Sequence, residues 1–242
     1  MSEKTPAFKR VVLKISGEAL AGEKRTGLDF SIVRSVCEAI KKCASMGVEI
    51  GIIVGAGNFW RGALDGDGKI ERTRADHMGM IATVINCLAI ADTLEQMNVD
   101  VKVQTAIEIK AVADTYTRRD ADKSLSNGTV VIFGCGTGSP FFSTDTAAVL
   151  RAAEVGAEAI LLAKNIDGVY TADPKTDPTA KKLDTISYAD VLANRLKVMD
   201  LTATSLAMDN DIPVIIFALH DPENIVRVVS GERIGTIVKC NV

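Results

Sequence analysis

The hydrophobic pattern of the chain predicts strands and helices in alternation. Residues 10–15 (RVVLKI) and 48–54 (VEIGIIV) are rich in β-branched residues and too continuous for half-exposed strands, which is typical of strands covered on both faces. Between them, apolar residues recur every three or four positions, which indicates a helix. Asp29 is placed to cap the start of this helix, and Gly47 is placed to end it.

The same alternation continues along the chain. The pattern predicts helices at residues 73–97, 118–127, 144–155, 188–196 and 201–210, and strands at residues 99–106, 129–133, 159–163, 213–217 and 235–239. Repeated strand–helix units imply a mainly parallel sheet with helices on both faces. Because no Gly-, Pro- or Ser-rich linker divides the chain, we expect residues 1–242 to form a single domain.

The predicted helix at residues 73–97 is apolar on nearly its whole circumference in its second half. The apolar residues that cannot all face one sheet are Ile81, Val84, Ile85, Leu88, Ala89 and Ile90. Such a helix needs two hydrophobic partners. We therefore expect one face to pack on the sheet and the other on a second subunit, with burial inside one chain as the alternative.

Composition and charge disfavour several classes of protein, namely nucleic-acid-binding, membrane and secreted proteins. Of 242 residues, 47% are apolar and 24% are charged, and the net charge of -3 disfavours broad nucleic-acid binding. The most apolar stretch, residues 81–91, is shorter than the ~20 residues of a membrane span, and the charged N-terminus lacks the features of a signal peptide. Five cysteines without a CxxC pair are typical of reduced thiols. We therefore expect a cytoplasmic protein without a membrane or nucleic-acid partner.

Glycine-containing segments follow three of the predicted strands. The first strand is followed by SG at residues 16–17, the second by GAGN at residues 55–58, and the strand at 129–133 by GCGTGSP at residues 134–140. Parallel strands place their carboxyl ends at one edge of the sheet, where exposed backbone and helix N-termini bind anions. Because Lys14 and Arg61 lie close to two of these loops in sequence, the pattern favours a phosphorylated ligand.

The common nucleotide and hydrolase motifs are not met. GxGxxG fails because Trp60 stands where the third glycine should be, and the Walker A pattern fails because Glu23 and Lys24 follow residue 22. There is no GxSxG motif, and His77 and His220 are too few for a His-rich metal site. A site built from cationic side chains and backbone N–H groups suits the transfer of a phosphoryl group from one phosphate to another. Such a transfer needs no general base, because the acceptor oxygen is already anionic.

Six ordered motifs then give the chain a family resemblance over nearly its whole length. They are KISGEAL at residues 14–20, GAGNFWRG at 55–62, ADHMGM at 75–80, TGSPFFSTD at 137–145, DGVYTADP at 167–174 and KVMD at 197–200. In order and spacing they resemble the bacterial uridylate (UMP) kinases of the amino acid kinase superfamily. The resemblance implies a three-layer αβα sandwich and transfer of the γ-phosphoryl group of ATP, with Mg²⁺, to UMP, giving UDP in pyrimidine biosynthesis.

The resemblance also implies roles for individual residues on the donor side. Lys14 would hold the transferring phosphoryl group, and Arg61 would contact phosphates of donor and acceptor. Asp145 and Asp200 would orient Lys14 or the metal, with no resident metal site. The implied ATP-binding residues are Lys14, Ile15, Ser16, Gly17, Gly57, Arg61, Asn165, Tyr170 and Asp173.

On the acceptor side, the resemblance implies that Asp76 accepts hydrogen bonds from the ribose hydroxyls. The segment at residues 137–144 would wrap the nucleotide, with Thr144 contacting the phosphate near a helix N-terminus. The implied UMP-binding residues are Ala56, Asp76, Thr137, Gly138, Ser139, Pro140, Phe141, Phe142, Ser143 and Thr144.

A regulatory segment and an assembly are further implications of the resemblance. GTP would activate the enzyme, UTP would inhibit it, and the chain would assemble as a homohexamer. The residues implied for GTP are Gly22, Glu23, Lys24, Arg25, Thr26 and Gly27.

Two positions depart from the family pattern. Ala56 replaces the middle of three glycines, which would weaken UMP binding if its φ were positive or if the phosphate lay against its Cα. Lys164 and Asn165 stand where other members carry a Thr-Lys pair, so either of them could face the adenine.

Two other functions stay open. The chain could be another amino acid kinase that phosphorylates a carboxylate or a carbamate, although the TGSPFFSTD segment suits a nucleotide. It could also be a non-catalytic nucleotide- or oxyanion-binding relative, although the presence of both Lys14 and Asp200 argues against that.

Overall fold

The structure is a computed structural model that describes residues 5–61, 68–172, 174, 176–196 and 198–241. Its strands are β1 (Arg10–Ile15), β2 (Glu49–Val54), β3 (Val101–Thr105), β4 (Asp114–Thr115), β5 (Val130–Gly134), β6 (Ala159–Lys164), β7 (Val169–Tyr170), β8 (Lys182–Leu183), β9 (Thr185–Ser187), β10 (Val214–Ala218) and β11 (Thr236–Lys239). Its α-helices are α1 (Gly17–Ala21), α2 (Phe30–Ser45), α3 (Arg72–Gln96), α4 (Arg118–Ser126), α5 (Thr144–Val155), α6 (Tyr188–Ala193), α7 (Leu201–Asp209) and α8 (Glu223–Val229).

Nine of the strands form one sheet in the order β4-β3-β5-β2-β1-β6-β10-β11-β9. Neighbouring strands are parallel except β10 and β11, which are antiparallel. β7 and β8 form a separate antiparallel hairpin. β1 is therefore the central strand, and the loops after β2 and β5 lie on one side of it while those after β6 and β10 lie on the other.

Alternate residues of the central strands face two different helical layers. Leu13 and Ile15 belong to a core with α2, α3 and α8, whereas Val12 belongs to a second core with α4, α5, α6 and α7. All three side chains are essentially inaccessible to water. The alternation follows from the period of two in a strand, and it confirms the three-layer αβα arrangement with a mainly parallel sheet.

Most predicted elements are confirmed, with shifts at their ends. The Asp29 carboxylate caps α2 by accepting from the Ser31 backbone N–H, as predicted. Helix α3 begins at Arg72 rather than Thr73, because Glu71 supplies the capping side chain. The prediction that a helix extends to residue 196 is wrong, since α6 ends at Ala193.

The hydrophobic pattern failed to predict the shortest elements. Helix α1 has five residues and α8 has seven, which is too little for a period of 3.6 to emerge. Strands β4, β7 and β8 have two residues each, and only their pairing partners define them as strands. Two-residue strands carry no alternation that a sequence could display.

Helix α3 has two apolar sides, as predicted. Cys87, Ile90 and Leu94 are buried in the core. On another side, Ile81, Ile85 and Leu88 are 54, 48 and 38% exposed at a spacing that forms one stripe. By length and composition alone α3 could cross a membrane, but half of that stretch is buried against the rest of the chain, as in core helices of globular proteins.

Candidate active site

The predicted phosphate site lies where the loops after β1, β2, β5 and β6 meet at one edge of the sheet. The loop after β1 contacts the loop after β2 directly, because the Gly55 backbone N–H donates to the Ile15 carbonyl at 3.0 Å. A methyl group added to Gly17 would lie 2.4 Å from the Gly55 carbonyl oxygen, so this close approach requires glycine. The side chain of Ile15 is buried in the core, and only its backbone can face a ligand.

Lys14 lies at the centre of this edge and is held by a carboxylate from α5. It is only 8% exposed, and its Nζ lies 2.9 Å from Oδ1 of Asp145. The other oxygen, Oδ2, lies 3.3 Å from Nζ of Lys164, which also donates to the Val198 carbonyl. The structure thus brings together Asp145 and Lys14, which the resemblance placed in one site, and whether Asp145 orients Lys14 or the metal stays a prediction. The second ammonium was not predicted as part of this cluster.

Burial and charge act in opposite directions on this cluster. Burial alone would raise the pKa of Asp145, but the ammonium groups of Lys14 and Lys164 outweigh it and hold that pKa below its usual value. Burial lowers the pKa of Lys164, an effect that Asp145 opposes and Lys14 reinforces. Asp145 is therefore ionised at neutral pH and serves as the counter-charge for the buried ammonium group of Lys14 and the partly buried one of Lys164.

Asp200 supports the cluster through the first turn of α5. It caps α7 by accepting from the Ala203 backbone N–H at 2.9 Å, and it accepts hydrogen bonds from the hydroxyls of Ser143 and Thr146. Ser143 in turn caps α5 by accepting from the backbone N–H of Asp145 at 3.0 Å. Asp200 thus positions the turn that carries Asp145. The role that the resemblance implied for Asp200, orienting Lys14 or the metal, stays a prediction.

The loop after β2 is ordered by a buried pair of amides. Asn58 and Asn86 exchange hydrogen bonds of 3.0 and 2.8 Å, and Asn86 also donates to the Gly55 carbonyl at 2.7 Å. Asn86 lies within the apolar stretch at residues 81–91 and was not predicted to belong to the site. In the structure it anchors the glycine loop that was predicted to approach phosphate.

Arg61, the second predicted cation, is paired with a glutamate. Its Nη2 lies 2.6 Å from Oε1 of Glu18, and both side chains are about half exposed. A methyl group on Gly57 would lie 2.9 Å from the same Glu18 oxygen, so Gly57, Glu18 and Arg61 are neighbours. A phosphate that binds Arg61 would displace the accessible carboxylate of Glu18 from the guanidinium group.

A pocket on the β2–β5 side contains much of the predicted acceptor site. The predicted residues that line it are Ala56, Asp76, Thr137, Phe142, Ser143 and Thr144. Trp60, Gly79, Met80, Thr83 and Gly136 also line it and were not predicted. Gly138, Ser139, Pro140 and Phe141 belong to the same loop without lining the pocket. Ala56 does not have a positive φ, so its methyl group strains no backbone there.

A second pocket, of about 610 Å³, lies on the β6–β10 side of Lys14. Asn165 and Tyr170, two of the residues implied for ATP, line it, and the Tyr170 hydroxyl donates to Asp167 at 2.9 Å. Asn165 rather than Lys164 faces this pocket. Ile166, Arg195 and His220 also line it and were not predicted, while Asp173 lies outside the described residues.

The segment predicted to bind GTP lies close to the glycine loop after β2. Residues 22–24 form a 3₁₀ turn, and Arg25 and Gly27 have positive φ. The Asn58 side chain donates to the Gly27 carbonyl at 2.7 Å. The segment at residues 22–27 is therefore connected through one buried side chain to the loop that carries Gly57.

The ionisation of Asp145 predicts how stability depends on pH. Because its pKa is lower in the folded protein than its usual value of 3.8, its contribution is complete above about pH 4 and is lost as pH falls through the folded pKa. Asp145→Asn should therefore destabilise the protein at pH 7, because it leaves two ammonium groups without their counter-charge. The difference in unfolding free energy from wild type should shrink below about pH 4.

Urea denaturation from pH 7 to pH 3 measures that difference, with the exposed Asp209→Asn as the control for removing a carboxylate. A difference between wild type and Asp145→Asn that stays constant down to pH 3 would contradict the assignment.

Comparison with known proteins agrees with the geometry. Residues 9–218 match the model of the amino acid kinase family. The chain is 38% identical to a UMP kinase from Bacillus anthracis, covering 97% of both chains with a TM-score of 0.94. It is 37% identical to a UMP kinase from Ureaplasma parvum, covering 96% of this chain and 98% of that one with a TM-score of 0.91.

A uridylate kinase from Archaeoglobus fulgidus is more distant, at 26% identity and a TM-score of 0.72, covering 94% of this chain and 99% of that one. The similarity thus extends over almost the whole length of three kinases that share one fold. The chain belongs to the amino acid kinase family, and within that family it is similar to the UMP kinases.

Proposed function

We propose that the protein transfers the γ-phosphoryl group of ATP to UMP, giving ADP and UDP. The observation that supports this most directly is the position of β1, which carries Lys14 between two pockets. The acceptor pocket is built after β2 and β5, and the donor pocket after β6 and β10. An ammonium group between them can contact a phosphoryl group that passes from one side to the other.

The chemistry needs alignment and charge neutralisation rather than a base. The phosphate of UMP presents an oxygen that is already anionic, so no proton has to be removed. Lys14, held by Asp145 before the substrates arrive, requires little reorganisation to stabilise charge on the transferring group. Backbone of Ser16 and Gly17, together with Arg61, would neutralise the neighbouring phosphates.

Mg²⁺ would enter with ATP. No cluster of three or more His, Cys, Asp or Glu side chains in the described part of the chain could hold a metal ion. Bound Mg²⁺ commonly combines substrate phosphates with water and one or two carboxylates, and Asp145 and Asp200 are the nearby candidates. When bound, it would add positive charge at the β- and γ-phosphates.

The acceptor pocket supports a nucleoside monophosphate. Asp76 offers a carboxylate to ribose hydroxyls, which are hydrogen-bond donors. Thr144 lies at the first turn of α5, where free backbone N–H groups and the helix dipole favour a phosphate.

A coupled assay of ADP release from ATP with UMP, CMP, carbamate and acetylglutamate tests the proposal. Turnover of a substrate other than UMP, or of none, would refute it.

Regulation, assembly and location complete the proposal. GTP would act as activator at residues 22–27, which Asn58 connects to the phosphate loop, and UTP would act as inhibitor. Residues 1–242 would act as a single domain within a homohexamer that buries the apolar stripe of α3. The five free cysteine thiols suit the cytoplasm, where the product would enter pyrimidine biosynthesis. A thermal-shift titration with UMP, repeated in the presence of GTP, tests whether GTP acts on the protein as an effector.

Lys14→Ala should lower kcat by about 10²-fold or more, because the ammonium acts mainly on charge in the transition state. The KM for UMP should change by no more than about threefold. Steady-state kinetics measure both constants. Lys9→Ala, which removes an exposed ammonium group just before the start of β1, is the control. Equal loss of kcat and of UMP affinity would indicate a binding or folding role instead.

Asp76→Asn should raise the KM for UMP about tenfold and leave the KM for ATP unchanged, because it weakens a charge-assisted hydrogen bond to ribose. Circular dichroism should show an unchanged fold, since an amide fits the same space. An unchanged KM for UMP would rule out the ribose assignment.

Light scattering should give a mass near six times the 25.7 kDa of one chain. Ile85→Arg should reduce that mass, because a charge in the apolar stripe of α3 would have to be buried at the interface. Lys41→Glu, on α2, serves as a control for a changed surface charge. A monomeric wild type would defeat the proposed assembly.

A further inference from the structure

A cluster of three residues joins helix α3 to the loop at residues 137–143, here called the acceptor loop. The Nε of Arg72 donates to both oxygens of Asp76, at 2.9 and 2.8 Å. The backbone N–H of Phe141 donates to Oδ2 of the same carboxylate at 2.8 Å. The guanidinium of Arg72 also lies over the Phe141 ring, with its Cζ 5.2 Å from the ring centroid. Arg72 therefore contacts both the carboxylate and the loop.

Phe141 holds an unfavourable backbone conformation in this cluster. Its φ is 71°, a left-handed value that bulky residues rarely adopt. Its side chain is 67% exposed, so burial contributes little to holding it there. The hydrogen bond to Asp76 and the guanidinium over the ring both favour this conformation. Loss of Arg72 would remove one of these contacts and loosen the other.

The Arg72 side chain contributes little to the stability of helix α3. A half-exposed ion pair between residues four apart contributes little to folding. Helix α3 is instead capped by Glu71, whose carboxylate accepts from the backbone N–H groups of Thr73 and Arg74. The contacts of Arg72 converge on Asp76, which lines the acceptor pocket and is only 14% exposed.

We propose that Arg72 is a positioning residue for the acceptor nucleotide. By fixing the Asp76 carboxylate and, through Phe141, the acceptor loop, it presents a carboxylate oxygen to the ribose hydroxyls of the nucleoside monophosphate. The inference rests on the proposed function, because it takes the acceptor to be a ribonucleotide. It assigns Arg72 an effect on acceptor binding and none on the reacting phosphates.

The single tryptophan of the chain provides a direct measurement of binding. Trp60 lines the acceptor pocket, so its fluorescence should report UMP binding without turnover. Arg72→Ala should weaken UMP binding about tenfold, because a charge-assisted contact loses its fixed geometry. The loss should fall to about threefold or less for 2′-deoxy-UMP, which lacks one of the hydroxyls that Asp76 would bind. The exposed Arg74→Ala, on the same helix, should bind both nucleotides as wild type does.

A double variant separates positioning from general damage. If Arg72 acts through Asp76, then Arg72→Ala combined with Asp76→Asn should bind UMP no more weakly than Asp76→Asn alone. The kcat and the KM for ATP of Arg72→Ala should stay within about twofold of wild type. Unchanged UMP binding, an equal loss for both nucleotides, or additive losses in the double variant would overturn the inference.

The two proposals fail in different ways. If Trp60 fluorescence reports UMP binding but no ADP is released, the proposed reaction is refuted. The binding measurements on the Arg72 variants would still test the role of Arg72. Turnover of UMP with an unaffected Arg72→Ala would refute only the role of Arg72. A wild type that does not bind UMP would refute both.

Discussion

The candidate site depends on the partly buried carboxylate of Asp145, which holds two ammonium groups. Lys14 and Lys164 would repel each other at a poorly hydrated edge of the sheet, and Asp145 between them makes their burial tolerable. The capping of α5 by Ser143, itself bonded to Asp200, fixes the place of that carboxylate. The network leaves the Lys14 ammonium fixed before any substrate binds, which is the condition for efficient electrostatic stabilisation of a transferring phosphoryl group.

The order of strands in the sheet would separate the two proposed substrates. With β1 at the centre, the loops of β2 and β5 form one pocket and those of β6 and β10 form the other. This arrangement argues against a purely binding protein, because two pockets on either side of one fixed cation are more than a single ligand needs. The Asp76 carboxylate in the acceptor pocket also disfavours a small carboxylate or carbamate acceptor, which it would repel, and favours a ligand that presents hydroxyl groups.

The sequence predicted the long elements of the fold because their patterns are local. Strands β1 and β2 are continuous runs of mostly buried residues, and helices α2 and α5 are defined by periodic burial and by capping residues within a few positions. The predicted ends of α3 and α6 differ from those observed, because a cap such as Glu71 is recognised by its hydrogen bonds rather than by its residue type. Strands β4, β7 and β8 depend on distant partners and could not be predicted from the sequence.

The sequence by itself determined the type of protein: strand ends rich in glycine, with Lys14 and Arg61 beside them, predicted a phosphate site, and the ordered motifs indicated the family to which the chain belongs. Only the tertiary structure decided which groups meet. It paired Lys164 with Asp145 rather than directing it to the pocket after β6 and β10, paired Arg61 with Glu18, and brought Asn86 to the glycine loop. It also joined Arg72 to Phe141 across 69 positions. Such contacts depend on strand order and helix packing, and no local pattern of residues records them.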